Sequence, residues 1–320
     1  MNNKITKRLS SFLLIICALV FTAACDTAPQ TTPAPTEDPI TSRPPQTPPE
    51  VSYLECGLEY VIDSDISCHI TGIGSFTGEV LEIPSEDKDG RLVSYIDIGA
   101  FKENTTIKEV IIPSSVKEIR QSAFRDCSSI TKFTLPEGLT TLGSFVLYGL
   151  SSLEQITLPA SLNKIGEGNL VDCPSLKAIT VPEASKSFKS ENGILYSKDM
   201  KTLILYPIAK TEQSFNVPEG VVTIGKSSFK GCKSIKTVVC SSTVENVGDF
   251  AFRDCPALET LTLGKNIKRL GVGTCYDCKS LSTVNYPNSK EDWDDDEKMI
   301  LANTWDRGAG KYTVNYEYQG

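Results

Sequence analysis

The sequence predicts a β-rich repeat solenoid built on a parallel β-sheet, with one β-hairpin inserted and a β cap at either end. Three observations carry that expectation. Segments beginning at Ile96, Ile119, Leu142 and Ile165 start 23 residues apart, and after an interruption so do those at Ile224, Val247 and Leu270. A fixed period of this length is the signature of a stacked repeat. Within each unit one stretch alternates apolar and polar residues with the period of two expected of a strand, and a proline closes it in five of the seven units.

Taken in chain order, residues 1–24 read as a signal peptide. Lys4, Lys7 and Arg8 precede the apolar run from Phe12 to Phe21, and Thr22-Ala23-Ala24 lead to Cys25. The run is too short to span a bilayer, which takes about 20 apolar residues. Thr-Ala-Ala-Cys resembles the bacterial lipobox, whose cysteine is lipidated and becomes the first mature residue, with Thr22 where leucine is usual; lipidation of Cys25 is the expectation. Residues 26–50 contain eight prolines and six threonines in 25 positions, a composition that cannot bury a core. As extended polyproline at about 3.1 Å per residue, this linker spans roughly 80 Å.

Residues 51–95 alternate like strands, as in Leu58-Glu59-Tyr60-Val61-Ile62, and are expected to cap the N-terminal end of the repeats at 96–287. In the repeats, one column reads Phe101, Phe124, Leu147, Leu170, Phe229, Phe252 and Cys275, and the next Ile107, Ile130, Leu153, Leu176, Ile235, Leu258 and Leu281. The predicted strand points Val110, Phe133, Ile156, Ile179, Val238, Leu261 and Val284 inward, with a second inward column two residues on, from Ile112 to Tyr286. A single unit exposes its apolar face, and stacking unit on unit buries it. The spacing from Ile165 to Ile224 is 59, which is 36 more than one period, and an insert is expected at about 183–216; two β-prone runs around Lys198-Asp199-Met200 predict a hairpin there. Residues 288–320, with Trp293, Trp305 and a strand-like run from Tyr312 to Tyr318, are expected to form the C-terminal cap.

Units such as Ile119-Arg120-Gln121-Ser122-Ala123-Phe124-Arg125-Asp126-Cys127 and Val247-Gly248-Asp249-Phe250-Ala251-Phe252-Arg253-Asp254-Cys255 resemble the BspA-like leucine-rich repeat proteins of bacterial surfaces. The Asn192-Gly193-Ile194-Leu195-Tyr196-Ser197-Lys198-Asp199 segment and the Glu291-Asp292-Trp293 ending are similar to recurring parts of that family. The resemblance covers roughly residues 51–320. It implies a leucine-rich repeat fold, adhesion, and binding of host or matrix proteins.

Composition narrows the function. The net charge is −8, and without the leader 29 Lys and Arg face 40 Asp and Glu, a balance near −11 that repels nucleic acid and anionic lipid. Contact with the membrane is therefore expected only through the lipid anchor, at the extracellular face of a bacterial cell envelope. The one histidine, His69, is expected at the surface of the cap with nothing convergent around it, which weakens any mechanism needing a histidine base. No phosphate-binding glycine loop, nucleophile elbow or H-E-x-x-H pattern is present, so no catalytic residue, metal or cofactor is expected.

The remaining function is recognition of a protein or glycan on a host or neighbouring cell. The candidate ligand-binding face is Thr134, Thr157, Thr180, Thr237, Thr260, Thr262 and Asn285, with Tyr196 and Tyr206 as exposed anchors on the hairpin. The alternative is an envelope-structural or accessory subunit, and a more distant one a glycan hydrolase built on two carboxylates. The acidic run Asp292–Glu297 reads as a solvated cap, and Cys275-x-x-Cys278 as two inward columns of one repeat rather than a metal pair. Of the eleven cysteines, Cys127, Cys173, Cys232, Cys255 and Cys278 share one inward column with Asn104 and Leu150 and are expected to stay reduced; Cys56 and Cys68 are left as a candidate disulfide in the cap.

Overall fold

The computed structural model describes residues 52–295, 300–301 and 304–319; the leader, Cys25 and the linker lie outside the described residues. The described chain is a β-solenoid of the expected period. The predicted strands form where the alternation placed them, among them Glu109–Ile111, Lys132–Thr134, Gln155–Thr157, Ala178–Thr180, Thr237–Val239, Thr260–Thr262 and Thr283–Asn285. Equivalent residues of successive coils pair in parallel, Val238 with Leu261 and Leu261 with Val284. Both repeat columns from Phe101 and from Ile107 are fully buried, and rings stack along the axis, Phe101 on Phe124 at 4.9 Å and Phe229 on Phe252 at 5.0 Å.

Each coil also carries a second, two-residue strand that alternation did not reveal: Glu118–Ile119, Thr141–Leu142, Lys164–Ile165, Thr223–Ile224, Asn246–Val247 and Arg269–Leu270. Only one of its residues points inward, and in five coils a glycine follows. At Gly166 an added Cβ would lie 2.4 Å from the Ser144 backbone nitrogen, so the coil below allows no side chain there.

Between the two strands every repeat turns through left-handed backbone at two equivalent positions, and the coil of Ile165 adds a third, Leu170 at φ of 60°. The first left-handed position is Gly99, Ser122, Phe145, Gly168, Ser227, Phe250 and Gly273; the second is Glu103, Asp126, Gly149, Asp172, Gly231, Asp254 and Asp277, all with φ between 56° and 76°. Glycine and aspartate suit this region, bulky side chains do not. The turns aim amides at carbonyls of the next coil: Ser227 N donates to Asp249 O at 3.0 Å, Phe229 N to Ala251 O at 2.8 Å and Gly231 N to Arg253 O at 2.8 Å.

The caps are β structures. At the N-terminal end, Ser52–Tyr53, Glu59–Ser64 and Ser67–Gly72 run antiparallel, and the last pairs in parallel with Leu92–Ile96. At the C-terminal end the chain makes one more coil without the consensus. Ile300–Leu301 pairs with Arg269–Leu270, Thr313–Asn315 pairs with Thr283–Asn285, and Thr304 and Gly308 supply the two left-handed positions. Trp293 and Trp305, 6.1 Å apart, seal it. Asp292 and Asp294 lie in the short helix Lys290–Asp294, which buries Trp293; no cluster of potential metal ligands occurs among the described residues.

The insert holds three antiparallel strands rather than two: Phe188–Glu191, Ile194–Ser197 and Thr202–Leu205. Asn192 and Gly193, with φ of 52° and 77°, make the tight turn between the first two. The core divides at this sheet. Leu195 and Leu205 pack with the N-terminal half, whereas Ile194, Tyr196, Leu203 and Tyr206 pack with the C-terminal half. The hairpin is an internal partition, and Tyr196 and Tyr206, at 1% and 2% exposure, are core residues instead of the expected anchors. Tyr206 stacks on Phe229 at 4.8 Å, taking the aromatic column of its own coil.

All nine cysteines among the described residues are free. The expected Cys56–Cys68 bond is not formed: Cys68 lies in a core-facing strand with its thiol directed at Arg91 O, 3.6 Å away, while Cys56 sits half-buried in the preceding turn. In the repeat column the thiol has a task beyond filling space. Cys127, Cys255 and Cys278 each donate to the carbonyl of the aromatic-column residue one coil earlier, Phe101, Phe229 and Phe252, at 2.9–3.0 Å. Burial pushes the thiols of Cys127, Cys173 and Cys240 up to about 12. Thiol titration of a 51–320 fragment is expected to count nine free thiols after denaturation and about one, Cys56, in the native state. A denatured count of seven would mean a Cys56–Cys68 bond, and fewer than about seven would disprove the reduced column.

Candidate functional site

Two surface features stand out from the regular coil. The first lies on the face the threonines occupy. Thr134, Thr157 and Thr180 are exposed; Thr237, Thr260 and Thr262 are half-buried; and Asn285 is buried at 6%, donating to Thr262 Oγ1 at 3.0 Å and accepting from Asn315 at 2.9 Å. Asn285 therefore serves a side-chain ladder and is not free for a ligand. The sheet is also not continuous. Lys132–Thr134 pairs with Glu109–Ile111, and Gln155–Thr157 with Ala178–Thr180, yet the two pairs do not join. Phe133 stands where the other six repeats carry valine, isoleucine or leucine, and Leu150 stands in the cysteine column of the next coil. Both differ in volume from their columns at the junction where the strand pairing stops. A groove of about 650 Å³ opens there, lined by Thr131, Thr134, Thr157 and Thr180 with the half-exposed Leu135.

The second feature is a cleft of about 380 Å³ on the turn side, at the insert. The coil containing the insert is short: two residues separate Leu203 from Tyr206, where four separate the equivalent Ile224 and Phe229. The missing length is the first left-handed turn, and without it Ile204 and Leu205 cross as a straight floor. The walls are the turns at 166–172 and 225–230. Two ion pairs bridge them, Lys226 to Glu167 and Lys230 to Asp172, both at 2.7 Å.

Half-exposed aromatic rings rim the cleft: Phe145, Tyr148 and Phe250. Phe145 and Phe250 occupy the first left-handed position at φ of 59° and 57°, where the other repeats use glycine or serine. Each ring lies over the glycine of the next coil, for a Cβ on Gly168 would fall 2.3 Å from Phe145 and one on Gly273 2.6 Å from Phe250. Arg125 covers Tyr148 at 5.0 Å, and Arg253 covers Phe250 at 5.6 Å and Tyr276 at 5.0 Å. Burial and the Asp172 carboxylate beside its hydroxyl push Tyr148 up to about 12. At Asp172 burial raises the pKa, but hydrogen bonds from Lys230 and Tyr148 outweigh it and hold the carboxyl below the usual carboxylate range. None of these residues was singled out from the sequence, although a phenylalanine in a glycine or serine column was a visible departure.

His69 also departs from expectation. It is buried at 8%, stacked on Tyr95 at 4.3 Å and bonded to Asp63 at 2.8 Å, with Arg120 on Tyr95 at 3.7 Å. Four residues of the cap and first coils thus converge there.

Coils in parallel register, left-handed turns and an apolar core on either side of the insert sheet define a leucine-rich repeat solenoid. The chain belongs to the BspA type leucine rich repeat family, whose model matches six copies over residues 89–199 and 209–296. Among solved structures it is similar to the pneumococcal vaccine antigen PcpA, at 19% identity over 84% of this chain and 82% of that one with a TM-score of 0.56. It is also similar to a leucine-rich repeat protein from Eubacterium ventriosum, at 22% identity over 82% and 77% with a TM-score of 0.54. These likenesses concern the fold. A search of curated proteins finds no match. No helix among the described residues is long and apolar enough to cross a membrane.

The Asp172 pair has a pH signature. Its folded pKa lies below the unfolded value near 3.9, so its stabilisation is present above about pH 4 and is lost as pH falls through the folded value. Asp172→Asn keeps a residue suited to left-handed backbone and is expected to cost about 0.5–1 kcal/mol at pH 7, in the range of partly exposed pairs. Thermal melts of the two proteins should converge as pH falls below the folded value of Asp172.

Proposed function

We propose that this protein is a surface-displayed recognition protein of a bacterial cell envelope, anchored by lipid on Cys25 and held out by the proline-rich linker, which adheres to a protein or glycan on a host or neighbouring cell. The observation that carries this reading is the groove in the threonine face. Thr134, Thr157 and Thr180 line it with exposed hydroxyls beside apolar Leu135, the mixture of hydrogen-bonding and apolar surface that recognition uses. Membership in a repeat family supports it, because repeat scaffolds offer extended surfaces to partners.

A hydrolytic role has less support. Glu167 lines the cleft at the insert and Asp172 follows its wall residue Val171, but each is paired with a lysine, and Asp172 is held ionised where a general acid needs a raised pKa.

The full ectodomain is expected to bind saturably in screens against immobilised matrix proteins, host cells, bacterial partners and glycans. Replacing Thr134, Thr157 and Thr180 together with lysine should weaken that binding at least tenfold without changing the melting temperature by more than a few degrees. No saturable binding in any screen would end the adhesion reading. Anchoring has its own measurement: Cys25→Ser is expected to abolish incorporation of labelled fatty acid and release the protein into the medium.

A further inference from the structure

The cleft at the insert has two walls of unused backbone. At the junctions between neighbouring repeats the amide of the first left-handed residue donates to a carbonyl of the next coil, as Ser122 N does to Ser144 O at 2.9 Å and Phe250 N to Val272 O at 2.8 Å. The amide of the second does the same, Asp126 N to Tyr148 O at 2.8 Å and Asp254 N to Tyr276 O at 2.9 Å. At the insert both rungs are missing. Among the described residues Gly168 N and Asp172 N meet no acceptor on one wall, and Lys226 O and Lys230 O no donor on the other. Only the middle acceptor, Ser228 O, is used, by Tyr206 N at 2.8 Å.

Coils stack about 4.8 Å apart, so two walls separated by one shortened coil stand about 9.6 Å apart, the width that seats a single polypeptide backbone within hydrogen-bond reach of both. The floor beneath is apolar, Ile204 and Leu205, and the rim is aromatic.

Deepening the recognition function above and resting on it, we propose that this cleft binds a short extended peptide segment of a protein partner, which completes the shortened coil. Its carbonyls accept from Gly168 and Asp172, its amides donate to Lys226 O and Lys230 O, and an apolar or aromatic side chain enters between Phe145 and Phe250. A peptide backbone carries amides and carbonyls in fixed alternation along both of its edges, the pattern that the open donors on one wall and acceptors on the other call for. The mode is the addition of a strand to an open edge, in which main-chain bonds give affinity and a pocket gives specificity.

The test pans a phage-displayed random dodecapeptide library against the full chain. Enriched synthetic peptides are then measured on wild type, Phe145→Ser/Phe250→Ser and Ile204→Trp. The serine pair copies Ser122 and Ser227, which hold the same left-handed position, so its melting temperature should change by no more than a few degrees, whereas the tryptophan fills the floor. Enriched peptides should share an apolar or aromatic position, lose at least tenfold affinity on both variants, and slow hydrogen exchange at the Gly168 and Asp172 amides. The proposal is overturned if no peptide enriches, if the variants bind equally, if those amides are not protected, or if a glycan array gives the ligand whose binding the variants lose. Binding of matrix proteins or glycans at the threonine face is read separately, so loss of one reading leaves the other measurable.

Discussion

The structure depends on one constraint, that each coil must meet the next at a fixed spacing with its amides aimed at the neighbour's carbonyls. In the repeats that alignment is made by two left-handed residues per coil, which is why aspartate, glycine and serine recur there. Once the rungs are set, equivalent side chains fall on top of one another, and a phenylalanine or isoleucine repeated every 23 residues becomes a buried stack. Each such side chain contributes about 1.5–3 kcal/mol by leaving water. The cysteine column follows from the same geometry: the residue is small enough to sit under the turn, and its thiol reaches a buried carbonyl of the preceding coil, Phe101 O for Cys127.

The insert satisfies the constraint on the strand side and breaks it on the turn side. Thr202–Leu205 pairs with Thr223–Ile224 in register, and Tyr206 keeps the aromatic column, so the C-terminal half stacks without a fault. The turn lost from this coil leaves rungs unmade, and ion pairs take their place across the opening, Glu167 with Lys226 and Asp172 with Lys230. Because the hairpin contributes Leu195 to one half of the core and Tyr196 to the other, the two halves share a wall of side chains. Unfolding either half exposes part of the other.

Much of this was legible in the residues and some was not, for identifiable reasons. The inward columns and the strand from Glu109 onward repeat without exception in apolar character, and their positions followed directly. The two-residue strands did not, because one inward residue followed by glycine shows no alternation. Tyr196 and Tyr206 were misplaced because a tyrosine between two cores has the same local sequence as one on an exposed hairpin. The last coil was read only as a cap, since its strand starts at Ile300, 30 residues after Leu270, and the consensus is lost. The groove lies where Phe133 and Leu150 depart from their columns, and the cleft where the coil before Tyr206 is two residues short. Such departures acquire meaning only after the register of every coil is known.

Phe145 and Phe250 are the residues that stability alone explains least. Holding a side chain in left-handed backbone costs about 1–2 kcal/mol, a cost that three of the seven repeats avoid with glycine and two limit to the small serine side chain. Packing of each ring on the next coil's glycine and the arginines above return a similar amount, so the net effect on folding is near zero. That gain also ties a second position, because Gly168 and Gly273 must then remain free of a Cβ. A scaffold under pressure for packing alone has a simpler solution, already used at Ser122 and Ser227. The two exceptions both rim the one place where a coil is shortened and its rungs are open, which links the strained backbone to the surface it shapes rather than to the core it covers.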